Sequence, residues 1–269
     1  MTGPPPTSLK GDNRRVVHRY LFEQMVRREL RQKYKGSALG IVWYIVNPLV
    51  LMGAYYLMFG IIFKATSEPD YPLFLLVGLV VWVFFSQAVL GAAPSLLDQG
   101  ALVRKARFPR ETIPAAVVTV QGITFLVLLG LLAPVTLAIR GTLDPALLAL
   151  PLILACLFAF VLGLAFIVSV LHAYFRDVAP ILAAALLPWF FLSPIFFDPS
   201  NITQKQTAVF ALEWLNPVAP FIVAVRDVLY GGVVPDPPVL AYVLIAAGLS
   251  LLGGRLLFAR MQGELAVVV

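Results

Sequence analysis

Ser169 and His172 come nearest, among the side chains of this sequence, to a nucleophile and its general base. They lie three residues apart, so a helix would place the hydroxyl and the imidazole on one face. Such a pair also needs a third group, usually a carboxylate, that orients the imidazole. No acidic residue stands one turn from His172, and the pair falls at the end of an apolar run. We therefore predict that His172 forms a hydrogen bond at the membrane interface and activates no nucleophile.

Other signatures of catalysis are missing from the sequence. It has no Gly-x-x-x-x-Gly-Lys-Ser/Thr phosphate loop, no His-Glu-x-x-His motif and no Cys/His cluster with metal-ligand spacing. Its one cysteine, Cys156, lies within an apolar run, which indicates a small core residue. We predict a chain that is not itself an enzyme and that holds no cofactor or metal of its own.

The elements around these residues are long apolar runs. Hydrophobic residues make up 60% of the 269 and charged residues only 13%, about half the share typical of soluble domains. A helix needs about 20 apolar residues to cross a bilayer. We predict an all-α integral membrane protein whose transmembrane domain covers 36–269. Its six spans are expected near 41–63, 72–95, 112–139, 147–171, 178–197 and 238–258.

The distribution of cations predicts the orientation of these spans. With both termini in the cytoplasm, 16 of the 20 lysines and arginines lie on the cytoplasmic side, in agreement with the positive-inside rule. We predict a multi-pass protein of the cytoplasmic (inner) membrane. Residues 1–13 are polar and proline-rich, lack a signal-peptide core, and are expected to form a disordered cytoplasmic tail. The net charge of +6 is then explained by the excess of cations on the cytoplasmic side, and no nucleic acid is expected as a partner.

Residues 14–35 predict an amphipathic helix that lies in the headgroup layer. Leu21 and Met25 fall on one broad arc of the helical wheel, and Arg31 falls on the opposite arc. Such a helix can bury its apolar side in lipid and keep its arginines near phosphates. The alternative is a solvated helix that only supplies topogenic charge, and Glu29, which falls inside the apolar arc, weakens the interfacial interpretation.

The cationic loop 96–111, between the second and third spans, predicts a docking site for a cytoplasmic partner. Topology places several of its apolar residues in the cytoplasm, where they suit a groove on another protein. The alternative is a positive-inside anchor with incidental apolar residues. The predicted docking set is Leu102, Val103, Arg104, Lys105, Arg107, Phe108 and Arg110.

Residues 198–237 predict re-entrant structure on the outer side. Repeated prolines, among them Pro199, Pro217 and Pro220, separate apolar stretches that are too short to span. Irregular backbone at membrane depth persists only where protein or a water-filled cavity covers it. The segment therefore indicates a lined pathway near the outer surface.

Charged pairs and aromatic side chains complete the candidate sites. Unpaired charges near hydrocarbon are costly, so adjacent opposite charges are expected to neutralise each other as structural pairs. The two pairs are Arg176 with Asp177 and Arg226 with Asp227. The dense aromatic residues fit either interfacial belts or ring faces along a sugar conduit. The conduit candidates are Trp43, Tyr55, Phe59, Trp189 and Phe196.

Motifs spread in order over nearly the whole chain resemble the permease subunit of a type 2 ABC exporter. The specific resemblance is to the branch that exports lipid-linked polysaccharides such as O-antigen, capsule or teichoic acid. The matching stretches are Tyr34-Lys35-x-Ser37-x-Leu39-Gly40-x-x-Trp43, Asn47-Pro48-Leu49, Leu102-Val103-Arg104-Lys105, Phe108-Pro109-Arg110 with Pro114, Phe175-Arg176-Asp177, Asn216-Pro217 and Arg226-Asp227-x-Leu229-Tyr230-Gly231.

The resemblance implies a homodimer, surrounded by membrane lipids, that works with two copies of a separate ABC ATPase, which would bind ATP and Mg²⁺. It makes 14–35 the interface helix, 96–111 the coupling helix and 198–225 the outer gate helices. The pore would lie between the two copies, lined partly by the first and fifth spans, and closure of the ATPases would open it. Two alternatives stay open: a type 2 exporter of a small molecule or lipid, and a membrane-embedded transferase acting on lipid or sugar.

Overall fold

A computed structural model describes residues 11–34, 42–62, 70–105, 109–140, 145–199, 210–263 and 265. Within these ranges every regular element is a helix and none is a β-strand, which confirms the all-helical class. Among the helices of these ranges, four are long and apolar enough to cross a membrane, and two further apolar helices are shorter.

In the N-terminal half, the described residues form six α-helices. They are α1 (Gly11–Tyr34), α2 (Trp43–Tyr55), α3 (Tyr71–Ala92), α4 (Ser95–Asp98), α5 (Gly100–Lys105) and α6 (Thr112–Arg140). A π-helix, Tyr56–Ile62, continues α2. α3 begins after Asp70, whose φ of 50° is left-handed. Pro72 suits the first turn of α3, because the N–H that it lacks would have no helical partner there.

In the C-terminal half, the described residues form four more α-helices and three short turns of other helix types. The α-helices are α7 (Leu150–Tyr174), α8 (Val178–Leu192), α9 (Ala219–Arg226) and α10 (Pro237–Met261). The short turns are the 3₁₀-helix Pro145–Ala149 and the π-helices Ala211–Leu215 and Asp227–Gly231. The region predicted to be re-entrant therefore contains, where it is described, a helix of 8 residues between π-helical turns.

The predicted spans differ in how fully they form. The long membrane-capable helices α3, α6, α7 and α10 coincide with the second, third, fourth and sixth predicted spans. The first and fifth coincide with the shorter apolar helices Val46–Ile62 and Val178–Leu192. The prediction that the fifth span reaches residue 197 is wrong. α8 has 15 residues and ends where Ser193, which precedes Pro194, adopts an extended conformation.

α3 is the central helix of the fold. In its most apolar stretch 72% of the residues are buried within the chain, whereas the figure for α10 is 17%. A helix that is apolar on every side can be buried on every side, and α3 packs against α2, α6, α7, α8 and α9. α10 instead packs mainly on α7 and leaves its other faces to the surroundings.

The contact between α7 and α10 depends on two glycines. A Cβ added to Gly254 would lie 2.2 Å from the carbonyl oxygen of Gly163, and one added to Gly163 would lie 2.2 Å from the carbonyl of Ser250. Beside this crossing, the Ser250 hydroxyl donates a hydrogen bond of 2.7 Å to the Phe160 carbonyl oxygen. Close approach through small residues is the usual way in which membrane helices gain packing contacts.

A second, smaller apolar cluster lies at the end of the bundle that carries α4 and α5. It joins the loop region to the ends of α6, α7 and α10. Its buried members are Leu96, Val103, Ile113, Phe166, Val170, Ala173, Phe258 and Leu265. This cytoplasmic cluster, as we call it from the predicted orientation, fixes α4 and α5 against the long helices.

Candidate functional site

Ser169 and His172 each bond to backbone and not to each other. The Ser169 hydroxyl donates to the Phe166 carbonyl oxygen at 3.1 Å. His172 Nδ1 accepts a hydrogen bond of 3.2 Å from the N–H of Ala179 at the start of α8. Both side chains are buried. His172 therefore joins the end of α7 to the start of α8, and the pair is not arranged as a catalytic dyad.

A polar cluster connects α1 to the segment predicted to be the coupling helix. Gln99 immediately precedes α5 and is only 9% exposed. Its amide oxygen accepts a hydrogen bond of 3.0 Å from Arg28 Nη1, and its amide nitrogen donates one of 2.9 Å to Glu29 Oε1. Because both groups of the amide are bonded to neighbouring residues of α1, Gln99 holds the two helices in one relative orientation.

Gln99 was absent from the candidate set drawn from the sequence, although one signal pointed towards it. Glu29 lies in the apolar arc of α1, and a carboxylate in such a position needs a hydrogen-bonding partner. The partner is Gln99, 70 positions away along the chain. A second bond, from Lys33 Nζ to Gln121 Oε1 at 2.6 Å, joins α1 to α6. α1 is therefore tied to the bundle by polar bonds as well as by its half-buried apolar side chains.

The predicted docking residues divide into two groups. Val103 is 1% exposed and belongs to the cytoplasmic cluster, and the Arg110 guanidinium donates to the carbonyl oxygen of Gln262. Leu102 is half-buried and Arg104 is exposed. The assignment of Val103 to a partner-facing surface is wrong, because its side chain fills the chain's own core. Arg107, Phe108 and the side chain of Lys105 lie outside the described residues.

Three of the five conduit candidates meet in one aromatic cluster. The Tyr55 ring centroid lies 4.9 Å from that of Phe196, and the Phe59 centroid lies at the same distance from Phe196. Phe190 of α8 joins them, 5.4 Å from Tyr55 and 5.0 Å from Phe196. Phe191, which is 49% exposed, stacks on Phe196 at 5.7 Å. Rings from the first and fifth apolar segments therefore pack together through edge-to-face and stacked contacts.

Within this aromatic cluster the rings differ in accessibility. Phe190 and Phe196 are each 7% exposed, whereas Tyr55 and Phe59 are half-buried. The two buried rings pack beneath the more accessible ones. The accessible ring surface of this cluster therefore belongs to Tyr55, Phe59 and Phe191.

The two tryptophan candidates lie apart from the aromatic cluster. Trp189 Nε1 donates a hydrogen bond of 2.8 Å to Asn216 Oδ1, and its ring packs on Phe85 of α3. Asn216 in turn donates to Ser193 Oγ at 2.9 Å, so these bonds hold the end of α8 to the segment that precedes α9. Trp43, 52% exposed, lines a cavity near Lys33. We therefore assign Trp189 a positioning role.

Arg226 is a buried cation at the end of α9. It is 5% exposed, its guanidinium lies 3.6 Å from the centroid of the Phe74 ring, and Nη2 donates to the Ile195 carbonyl oxygen at 3.2 Å. These contacts join α9, α3 and the chain that follows α8. A desolvated cation–π contact stabilises by about 2 kcal/mol. Burial raises the pKa of the adjacent Asp227, and the Arg226 charge opposes that rise.

The expected pairing of Arg176 with Asp177 is wrong. Both residues are described, both side chains are exposed at the turn between α7 and α8, and no ion pair joins them. Water solvates both groups at this position, so neither charge needs a protein partner.

Four carboxylates line a cavity of about 280 Å³ beside α9: Asp198, Glu213, Asp227 and Asp236. Burial raises the pKa of Asp227 to about 6, with Arg226 opposing the rise and Asp198 and Asp236 adding to it. Burial, followed by the charge of Asp198, also raises the pKa of Glu213. Within the described residues no group of three or more acidic, His or Cys side chains has the geometry to hold a metal ion.

Comparison with known proteins gives a consistent result. The family model described as ABC-2 type transporter matches residues 20–230. The chain is 31% identical over 219 residues to the O-antigen export system permease protein RfbA of Myxococcus xanthus, covering 81% of this chain and 84% of that protein. It is 29% identical to RfbA of Klebsiella pneumoniae, covering 79% and 82%. It is 27% identical to the polysialic acid transport protein KpsM of Escherichia coli, covering 90% and 93%.

Proposed function

This chain belongs to the ABC-2 type transporter family, and on that basis we propose that it is the permease subunit of an ATP-driven exporter of a lipid-linked polysaccharide. The observation that carries the proposal is the similarity, over about four-fifths of both chains, to proteins named O-antigen export permeases. O-antigen, capsule and teichoic-acid-type polymers are the substrate class. The small-molecule exporter and the transferase have no comparable support.

We propose six membrane crossings with both termini in the cytoplasm. α3, α6, α7 and α10 have the length for four of them. The apolar helices Val46–Ile62 and Val178–Leu192 would supply the first and fifth. The excess of Lys and Arg on the proposed cytoplasmic side supports this orientation. Residues 198–225, which include most of the 8-residue α9, would form the outer gate.

The ATPase is proposed to be a separate subunit, present in two copies beside two copies of this chain. ATP and Mg²⁺ would bind to that partner, because this sequence has no phosphate loop. α4 and α5 would dock on it through Leu102 and the exposed Arg104, with Val103 anchoring α5 from the inner side. Gln99 would then transmit movement of α5 to α1 through Arg28 and Glu29.

The conduit is proposed to follow the aromatic cluster. Tyr55, Phe59 and Phe191 offer ring surface along the first and fifth segments, and sugar C–H faces pack well on aromatic rings. A second copy would close the opposite side of the pathway. A π-helix forms the outer end of the first segment and carries Phe59, and such turns are frequent at functional sites.

Deletion of the chain from its host tests the proposed function. The polymer should disappear from the cell surface, and lipid-linked polymer should accumulate at the cytoplasmic face of the membrane. A plasmid copy should restore export, whereas a plasmid copy paired with an ATPase inactive in ATP hydrolysis should not. Normal surface polymer in the deletion strain would overturn the proposal.

The proposed conduit has its own test. In a Cys156→Ala background, cysteine placed at Tyr55 or Phe59 should react with a membrane-impermeant thiol reagent during ATP turnover of the complete transporter. A matched cysteine at Leu57, which is 54% exposed on the same turn, should stay protected by lipid. Protection of positions 55 and 59 in every state, together with normal export, would refute the conduit assignment.

A further inference from the structure

The backbone that follows α8 is held by side chains from two other helices. Ile195 and Phe196 are buried but lie outside any helix, so no following helical turn bonds to their carbonyl groups. Buried carbonyl oxygens need hydrogen bonds. Nη2 of Arg226, at the end of α9, donates to the Ile195 oxygen at 3.2 Å. The hydroxyl of Tyr71, at the start of α3, donates to the Phe196 oxygen at 2.9 Å.

One face of α3 makes room for the Arg226 guanidinium. Phe74 and Gly78 lie four positions apart on α3 and so share a face. The guanidinium carbon lies 3.6 Å from the centroid of the Phe74 ring. A Cβ added to Gly78 would lie 2.7 Å from Nη2 of Arg226 and 3.4 Å from Cα of Ile195. The missing side chain of Gly78 therefore leaves the space in which Arg226 meets the backbone of Ile195.

The same backbone carries the Phe196 ring into the aromatic cluster. The centroid of that ring lies 4.9 Å from those of Tyr55 and Phe59. A displacement of the Phe196 backbone would therefore move the surface on which Tyr55 and Phe59 pack. Direct contacts thus run from α9, through Arg226 and the backbone of Ile195, to the rings of the proposed conduit.

The two hydrogen bonds attach this backbone to helices of different kinds. α3 is the central helix, so the bond from Tyr71 holds Phe196 to the most buried part of the bundle. The bond from Arg226 attaches Ile195 to the 8-residue α9. Movement of α9 away from α3 must either break the Arg226 bond or carry Ile195 along. A break would leave the buried carbonyl oxygen of Ile195 unsatisfied, which is costly.

We propose that Arg226 is a positioning residue that makes the aromatic cluster move together with α9. While α9 packs against α3, Arg226 holds Ile195 and so keeps Phe196 against Tyr55 and Phe59. When α9 moves, Arg226 carries the same backbone with it, and the rings separate. The proposal rests on the proposed function, which assigns α9 to the outer gate and these rings to the conduit.

The position of the Phe196 ring can be measured by fluorine NMR. Para-fluorophenylalanine at position 196 reports the surroundings of the ring in the purified complex of the chain with its ATPase, without nucleotide. Arg226→Met, which has neither the charge nor the donor, should shift and broaden this resonance. Arg226→Lys keeps a cation near Phe74 and one possible donor, so it should restore part of the wild-type shift.

Phe221→Leu is the matched control for a general weakening of α9. The Phe221 ring is buried and stacks on Phe160 of α7, with 4.9 Å between the centroids. Its loss should lower the unfolding temperature and leave the resonance at position 196 unchanged, because the contacts of Arg226 stay in place. A purely structural role of Arg226 instead predicts similar spectra for Phe221→Leu and Arg226→Met.

Gly78→Ala tests the same contact from α3 without changing Arg226. The added methyl group should displace the guanidinium, so the resonance should change as it does in Arg226→Met. Gly130→Ala in α6 is the control, because no atom lies within 4 Å of its added Cβ. It gains the same helix propensity and should leave the resonance unchanged.

A last measurement follows the ring during the transport cycle. Trapping the ATPase with ATP and vanadate should shift the wild-type resonance, and Arg226→Met should abolish this shift. Polymer export by Arg226→Met should fall about fivefold, the factor that corresponds to one lost hydrogen bond, while assembly and ATP hydrolysis persist.

Three outcomes would overturn the role of Arg226. They are unchanged nucleotide-free spectra of Arg226→Met and Gly78→Ala, an equal change in Phe221→Leu, and the same vanadate-dependent shift with and without the arginine. The nucleotide-free spectra require neither polymer nor export. Normal surface polymer in a strain without the chain would refute the proposed function and leave those spectra as they are, so the two failures are distinguishable.

Discussion

Gly254→Ala should weaken the crossing of α7 and α10 substantially. The added Cβ would lie 2.2 Å from the Gly163 carbonyl oxygen, whereas ordinary van der Waals contact begins at 3.4 Å. The obstructing atoms belong to backbone and cannot rotate away, so the helices must separate by about 1 Å. Overpacking of this kind costs about 1–3 kcal/mol, and the Ser250–Phe160 hydrogen bond beside the crossing should lengthen.

Gly253→Ala is the matched control, because no atom lies within 4 Å of its added Cβ. Alanine is the better helix former by about 0.5–1 kcal/mol, a gain that both variants share. We expect Gly254→Ala to unfold at a temperature about 4–8 °C below Gly253→Ala, which corresponds to about 2 kcal/mol. Helicity measured by circular dichroism of the purified chain in detergent follows the transition.

The double variant Gly163→Ala/Gly254→Ala provides a second test of the close crossing of α7 and α10. Both methyl groups would occupy the same gap, so the helices that have separated for the first can admit the second at a lower cost. The two effects should therefore be less than additive. Equal unfolding temperatures of Gly254→Ala and Gly253→Ala would refute the close crossing.

Three further predictions concern coupling, the conduit and the outer cavity. Gln99→Leu should leave ATP hydrolysis by the complex unchanged but reduce polymer export several-fold, because α5 loses its hydrogen bonds to α1. The control variant Gln24→Leu, at an exposed position of α1, should export the polymer normally. Phe59→Ala should reduce export more than it reduces complex assembly, whereas Met58→Ala, exposed on the same turn, should affect neither, as export assays and co-purification would show. Burial raises the pKa of Asp227 from 3.8 to about 6. The contribution of Asp227 to the free energy of unfolding is therefore complete below pH 3.8 and is lost as the pH rises through 6. In Asp227→Asn the fall of the unfolding temperature over this pH range should be smaller, as thermal unfolding at several pH values would show.

The sequence predicted the long helices well because their signal is local. Each is a run of apolar residues, and the cost of exposing backbone to lipid leaves few alternatives to a helix. α3 and α7 therefore coincide closely with the second and fourth predicted spans. The family was likewise identifiable, because its motifs are short, local and ordered along the chain, and the resemblance is confirmed.

Other features depend on contacts between distant residues and could not be predicted. Val103 has the same apolar character whether it faces a partner or the chain's own core, and only the fold places it in the cytoplasmic cluster. Gln99 has no distinctive neighbours in sequence, and its role arises from two residues of α1. The Arg176–Asp177 pair was expected from adjacency, yet neighbouring residues at an exposed turn are free to point into water.

The short length of α8 has a consequence for the surrounding bilayer. Fifteen residues rise about 22 Å, while the hydrocarbon core of a typical membrane is about 30 Å thick. With α8 as the proposed fifth crossing, the bilayer beside it would have to thin to match its length, and each ångström of mismatch costs a fraction of a kcal/mol. Lipids with shorter chains remove part of that cost. In the proposed arrangement, the thickness of the host membrane would therefore itself influence how stable this protein is and where in the membrane it resides.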